Sequence, residues 1–252
     1  MYIGSAIANL KTETTFDPCT TGITRGVPTF KSRHDLGKVL EAEGLHIGAE
    51  LGVQKAHYSN SLLSDWASNR EYHLVDIWAK LENYNDHANK EQSEQDRIYA
   101  EAMENVKSWK SNIHVCRNFT TNCVRNYEDD YFDFIYVDAR HDFKGVLQDL
   151  QLWWPKLKQV GVWVWLDSTD HYSTYTQTFY CCKGGIFAGH DYVSQDDGPS
   201  SGGQDWTLNY DGTRDETRLV VKGAVDQFAA SVCRQVTVSY REKAWNSWAI
   251  RK

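Results

Sequence analysis

The stretch FDFIYVDARHDFKGVLQDLQLWWPKL, residues 132–157, constrains the fold more than any other part of the chain. Aromatic and β-branched residues run through 132–138 and end in an acid, as in a buried strand, and from 143 onward the apolar residues return at helical spacing. The same pair recurs on both sides. Residues 46–53, 72–78 and 113–116 read as strands, while 32–43, 59–66, 96–109 and the short 122–127 read as helices. Ser32 stands where an N-cap would for the first helix. Beyond them, 185–191 reads as a further strand, 221–230 as a helix, and 236–240 with 247–252 as a closing hairpin. Strands that alternate with helices need crossover connections. The expected fold is therefore α/β: a Rossmann-like, doubly wound, mostly parallel seven-stranded sheet with a C-terminal β-hairpin.

A chain of 252 residues with 41% hydrophobic and 24% charged residues can bury one sizeable core. We expect a lead segment over residues 1–31 and a single domain over 32–252. With 34 acidic against 27 basic residues and no stripe of Lys and Arg, nucleic acid is a poor partner. No apolar run is long enough to span a bilayer, and the first ten residues do not read as an export signal. The chain reads as soluble, cytoplasmic and without a membrane partner. The six cysteines form no CxxC pair and no zinc spacing, so free thiols in a reducing compartment are the expectation. Nothing in the sequence sets the oligomeric state.

In a doubly wound sheet ligands bind at the carboxyl ends of the strands, where the strand order reverses. Glu50 and Gly52 end the first strand, Asp76 the second, Asp138 the fourth and Asp191 the strand at 185–191. An acid at the end of the second strand can accept hydrogen bonds from both ribose hydroxyls of a nucleoside cofactor. The first turn, ELGVQKA, has one glycine and begins with an acid, whereas a dinucleotide needs three glycines to bring its pyrophosphate to backbone amides. A nicotinamide cofactor is disfavoured. A cationic sulfonium with an amino group suits the acid, which points to S-adenosylmethionine.

The stretches SRHDL (32–36), GAELGVQKAHYS (48–59), HLVDIW (73–78), 132–157, GGIFAGHDY (184–192) and VKGAVDQF (221–228) together resemble the class I S-adenosylmethionine-dependent methyltransferases. The resemblance is more narrowly to sugar and small-molecule O-methyltransferases whose first motif reads like AEIGV. It implies that Glu50 and Gly52 shape the methionine pocket with Ser59 nearby, that Asp76 binds the ribose, and that Trp78 lies on the adenosine side. Asp138 and His141 would face the methyl group. Ala56 departs from the family pattern, which has glycine there. In related enzymes acids at these strand ends hold a divalent cation, so Asp138 and Asp191 are candidate magnesium ligands, with His141 or His190 as general base. Asp138 read plainly is a helix cap, and His190 a hydrogen-bonded pocket wall. Arg140 and Lys144 read as solvated or substrate-contacting.

The implied reaction is O-methylation of a sugar, a glycan or another hydroxylated small molecule. A non-catalytic cofactor-binding domain is the alternative, because residues 160–183 interrupt the pattern. Removing VGVWVWLDSTDHYSTYTQTFYCCK joins the helix ending WWPKLKQ to GGIFAGHDY as the family has it. Its first codon must begin GT and its end can encode a pyrimidine tract followed by AG, so an in-frame retained intron is one reading. The other is an insertion whose residues 160–166 take the fifth-strand slot and displace 185–191.

Overall fold

The computed structural model describes residues 26–82, 84–159, 161–167, 175–182, 184–242 and 245–252, which leaves most of the expected lead segment outside the described residues. In chain order it contains α1 (Leu36–Glu43), β1 (Ile47–Leu51), α2 (His57–Ser64), β2 (Glu71–Asp76), α3 (Gln92–Asn105), β3 (Ile113–Arg117), α4 (Thr120–Cys123), β4 (Phe134–Val137) and α5 (Phe143–Trp153). Then follow β5 (Gly161–Asp167), β6 (Tyr175–Cys182), β7 (Ile186–Gly189), α6 (Val220–Ser231), β8 (Thr237–Val238) and β9 (Trp248–Arg251).

Seven strands form one sheet in the order β3-β2-β1-β4-β7-β9-β8. The first five are parallel, and β9 runs antiparallel to both β7 and β8. This is the expected Rossmann-like sheet with its antiparallel C-terminal strands. The order reverses between β1 and β4, which opens a crevice at their carboxyl ends.

Parallel strands buried on both faces need apolar helices above and below. On one face α5 and α6 bring Leu150, Trp153, Val225 and Phe228 against Ile135 and Phe187. On the other, Leu36, Leu40, Leu62 and Trp66 of the α1–α2 side meet Tyr72 and Phe134. Trp66, Trp153 and Trp248 are fully buried, so truncating any one to alanine would cost about 3–5 kcal/mol.

The structure decides between the two readings of the 160–183 segment and corrects one expectation. Among the described residues β5 and β6 pair with each other, antiparallel, and β7 holds the place beside β4 as the strand expected at 185–191. Residues 160–166 thus do not displace 185–191, because the Ile186–Gly189 backbone registers against Phe134–Val137 and its Gly185 amide is already bonded to the Lys158 carbonyl at 2.8 Å. The cysteines are not all free either. Cys116 and Cys123 form a disulfide across the β3–α4 loop, and Cys233 is also disulfide-bonded. Their proximity comes from the turn after β3, which no cysteine spacing announces. No helix among the described residues is long and apolar enough to cross a membrane.

Candidate active site

At the carboxyl ends of β1, β2 and β4 lies a cleft of about 670 Å³, a size suited to a nucleoside-containing ligand. The chain turns out of β1 at Gly52, whose φ of +84° and whose distance to β4 both demand glycine: a Cβ there would lie 2.0 Å from the Asp138 carbonyl oxygen. Glu50, just before it, is 2% exposed and accepts hydrogen bonds from the Ser59 and Tyr72 hydroxyls at 2.6 and 2.9 Å. Burial pushes its carboxyl up to about 8, against the lowering by those two donors. Ser59 does not line the cleft. It holds Glu50 in place from α2.

Asp76 lines the cleft and also braces the turn that forms it. Its Oδ2 accepts from the Val53 and Gln54 amides at 2.8 and 2.9 Å, and its Oδ1 from the Trp78 amide at 2.7 Å. About four lone-pair positions are available on a carboxylate, so one remains for a ribose hydroxyl. Trp78 is placed differently from the expectation. Its ring is fully buried against Tyr99 and its indole N–H donates to the Gln54 carbonyl, so Ile77 and Ala79, not Trp78, line the cleft. Ala56 sits at φ 58°, ψ 26° just before α2, the left-handed conformation that glycine takes freely. The added methyl is buried, and the conformation costs about 1–2 kcal/mol.

Asp138 and His141 line the cleft, and behind them lies a charged cluster whose other members, Asp86, His190 and Asp191, are not among the lining residues. His141 lies among three carboxylates: Asp86 at 3.2 Å from Nδ1, with Asp138 and Asp191 at 3.3 and 3.1 Å from Nε2. Burial alone would drive its proton off, but the Tyr84 phenol and the bonds to Asp138, Asp191 and Asp86 outweigh it, and the pKa is raised well above the ordinary value. His190 pairs with Asp191 at 2.7 Å. Asp138, His190 and Asp191 present ligand atoms within 4.8 Å of one another, enough to embrace one cation. The loop after β2 and the loop after β7 meet here. The Trp206 indole stacks on His141 at 4.3 Å and donates to Asp86 at 2.9 Å.

Several residues at the cleft or in the cluster behind it carry no local signal in the sequence. Asp86, in a polar stretch without period, becomes a partner of His141 only on folding. Asp149 is buried beside Thr120, which donates to it at 2.5 Å, and burial pushes its carboxyl up to about 7. Arg33, read only as part of a helix start, reaches the cleft and pairs with Asp138 at 3.4 Å. Arg140 is paired with buried Asp142 and lies over the Tyr84 ring, and Lys144 bridges to Asp211.

Residues 45–168 match a family model described as a methyltransferase domain. Among solved structures, the chain is similar to an O-methyltransferase from Bacillus cereus in complex with S-adenosylhomocysteine: 13% identity, 87% of this chain and 80% of that one, TM-score 0.51. It is also similar to the O-methyltransferase TomG from Streptomyces achromogenes in complex with S-adenosylmethionine, at 9% identity over 87% and 79% of the two chains, TM-score 0.50. Likeness at such identities speaks for the fold. No curated protein matches the sequence. The family match covers just under half of the chain and, with the fold, gives the enzyme class: an S-adenosylmethionine-dependent methyltransferase.

Proposed function

We propose that the chain transfers the methyl group of S-adenosylmethionine to a hydroxyl oxygen of a sugar, a glycan or another hydroxylated small molecule. The observation that carries this reading is the joint placement of Glu50, Asp76 and Asp138 at the ends of three adjacent parallel strands, with His190 and Asp191 at the end of the next. Glu50 would take the ammonium of the methionine portion, and Asp76 a ribose hydroxyl with its remaining lone pair. The sulfonium is a good leaving group, so the protein's task is alignment and removal of one proton. The acceptor oxygen attacks the methyl carbon, the C–S bond breaks with its electron pair going to sulfur, and S-adenosylhomocysteine leaves.

The proton has two candidate acceptors. His141 is tied to three carboxylates and serves better to hold Asp138 and Asp191 in place than to take up another proton. His190, with Asp191 to orient it, is the base in this reading. Asp138 and Asp191 offer oxygen donors that would hold a divalent cation such as magnesium, which leaves His190, the third member of that cluster, uncoordinated to act as the base. Such a cation would supply positive charge to orient neighbouring hydroxyls of the acceptor. The disulfides favour an oxidising compartment over the cytoplasm.

A screen of sugar and polyol acceptors with labelled cofactor, with and without chelator, tests the reading. Turnover that falls roughly 100- to 10,000-fold in His190→Gln supports it. Turnover of a hydroxylated acceptor that is untouched in that variant would remove His190 from the chemistry, and methylation of nitrogen or carbon acceptors alone would remove the O-methyl assignment.

A further inference from the structure

Away from the cleft, the pairing of β2 with β3 sets two imidazoles side by side. His73 stands directly opposite His114 in the parallel register, and Glu71, two residues earlier on β2, projects to the same face of the sheet. The two rings stack with centres 4.6 Å apart and planes 17° from parallel. A nitrogen from each ring and one Glu71 carboxylate oxygen lie within 4.8 Å of one another. None of the three residues lines the cleft, and none belongs to the cluster behind it.

The surroundings orient these groups. His73 is 6% exposed, and Tyr127, Tyr131 and Phe132 pack edge-on around its ring. The Tyr127 hydroxyl lies 3.2 Å from Nδ1 of His73, which fixes the ring so that Nε2 faces Glu71 Oε2, also at 3.2 Å. The Tyr131 hydroxyl donates to that same carboxylate oxygen. A partner on the second nitrogen of a histidine and a donor on the carboxylate are the outer contacts that hold metal ligands in place. An imidazole N–H donating to Glu71 would explain His73 alone and leave the matching histidine on β3 without a part.

Zn–N and Zn–O bonds of about 2.0–2.2 Å put neighbouring ligand atoms about 3.3–3.5 Å apart in a tetrahedron. His73 and Glu71 already stand at that spacing. His114, the exposed member, closes the remaining distance by rotating its side chain, and water takes the fourth position. Two imidazoles beside one carboxylate favour zinc over magnesium, which prefers oxygen donors throughout. We propose that Glu71, His73 and His114 form a zinc site that pins the edge strand β3 to β2. Strand β3 leads into residues 118–121, which line the cleft, so the ion steadies the strand that delivers one wall of it.

Calorimetry and thermal melts of the untagged, chelator-treated chain titrated with zinc test the proposal. Wild type should bind zinc with micromolar or tighter affinity, and zinc at about 100 times Kd should raise Tm by roughly 5 °C, whereas magnesium at the same concentration should not. His114→Ala, at an exposed position outside the core, should weaken binding roughly ten- to a hundredfold and remove most of the shift. Glu71→Gln should do the same and supplies a second variant should the first fold poorly. Asp191→Ala, which alters the cluster behind the cleft, should keep this binding event. Zinc affinity and Tm shift unchanged in His114→Ala, binding lost in Asp191→Ala but kept in His114→Ala, or no binding by the folded wild type up to about 0.1 mM zinc each overturns the site.

Discussion

At Glu50 a single buried carboxyl links folding, binding and pH. Its pKa of about 8 in the fold lies above the ordinary carboxyl value, so its contribution to stability is full in acid, declines as pH rises above about 4.5, and is lost through pH 8. Glu50→Gln should therefore match wild type in thermal stability near pH 5 and exceed it near pH 8 by an amount on the order of a few kcal/mol. Binding runs the other way, since an ammonium ligand needs the carboxylate: S-adenosylhomocysteine affinity should rise from pH 6 to 8 in wild type and stay flat in Glu50→Gln. Melting curves and titrations at both ends of that range check both signs. Gly52→Ala is a sharper lesion, because a Cβ 2.0 Å from a backbone oxygen can be relieved only by moving β1 or β4. It should cost on the order of 3 kcal/mol or more in denaturant unfolding and abolish binding; a variant of wild-type stability would mean the turn is looser than described. Glu50, Gly52 and Asp138 were legible in the sequence because they end strands that composition announces. Arg33 and Asp138, 105 residues apart, meet only in three dimensions, and no periodicity could pair them. Trp78 misled for a related reason: a strand that ends at Asp76 places Trp78 two residues on but does not say which way its ring turns.

The elements themselves were largely readable, since parallel strands buried on both faces are dense in apolar residues and the helices between them keep a strict period. The exception is the segment between α5 and β7. Residues 161–167 are as strand-forming as any in the chain, so local propensity could not decide which run joins the main sheet. Pairing decided it, for β7 and not β5 takes the register on the open side of β4. The hairpin of β5 and β6 leaves and re-enters between Lys158 and Gly185, which are directly hydrogen-bonded. Deleting residues 160–183 should then preserve the sheet: we expect a cooperative melt within a few degrees of the full chain, and unchanged cofactor affinity. Loss of folding on deletion would instead make the hairpin part of the core. Sequencing the mature transcript separates a retained intron from a genuine insertion, the former requiring that these codons be absent.

For the molecule as a whole, the sheet reversal between β1 and β4 gathers residues from every third of the chain around one cleft, and its two halves receive different chemistry. In the proposed reading the β1–β2 side, with Glu50 and Asp76, would recognise the cofactor, and the β4–β7 side, with Asp138, His190 and Asp191, would serve the transfer. A divalent cation on that second side predicts that chelation suppresses turnover while leaving S-adenosylhomocysteine binding intact, and that Asp191→Ala does the same. Equal turnover with and without chelator would exclude the cation and leave the His190–Asp191 pair to act alone. The division of labour depends on one claim, that the cleft binds the nucleoside cofactor. Calorimetric titration of the purified chain with S-adenosylhomocysteine addresses it directly: the account predicts binding in the micromolar range, lost in Asp76→Ala. A folded protein that shows no heat of binding up to millimolar ligand would contradict it.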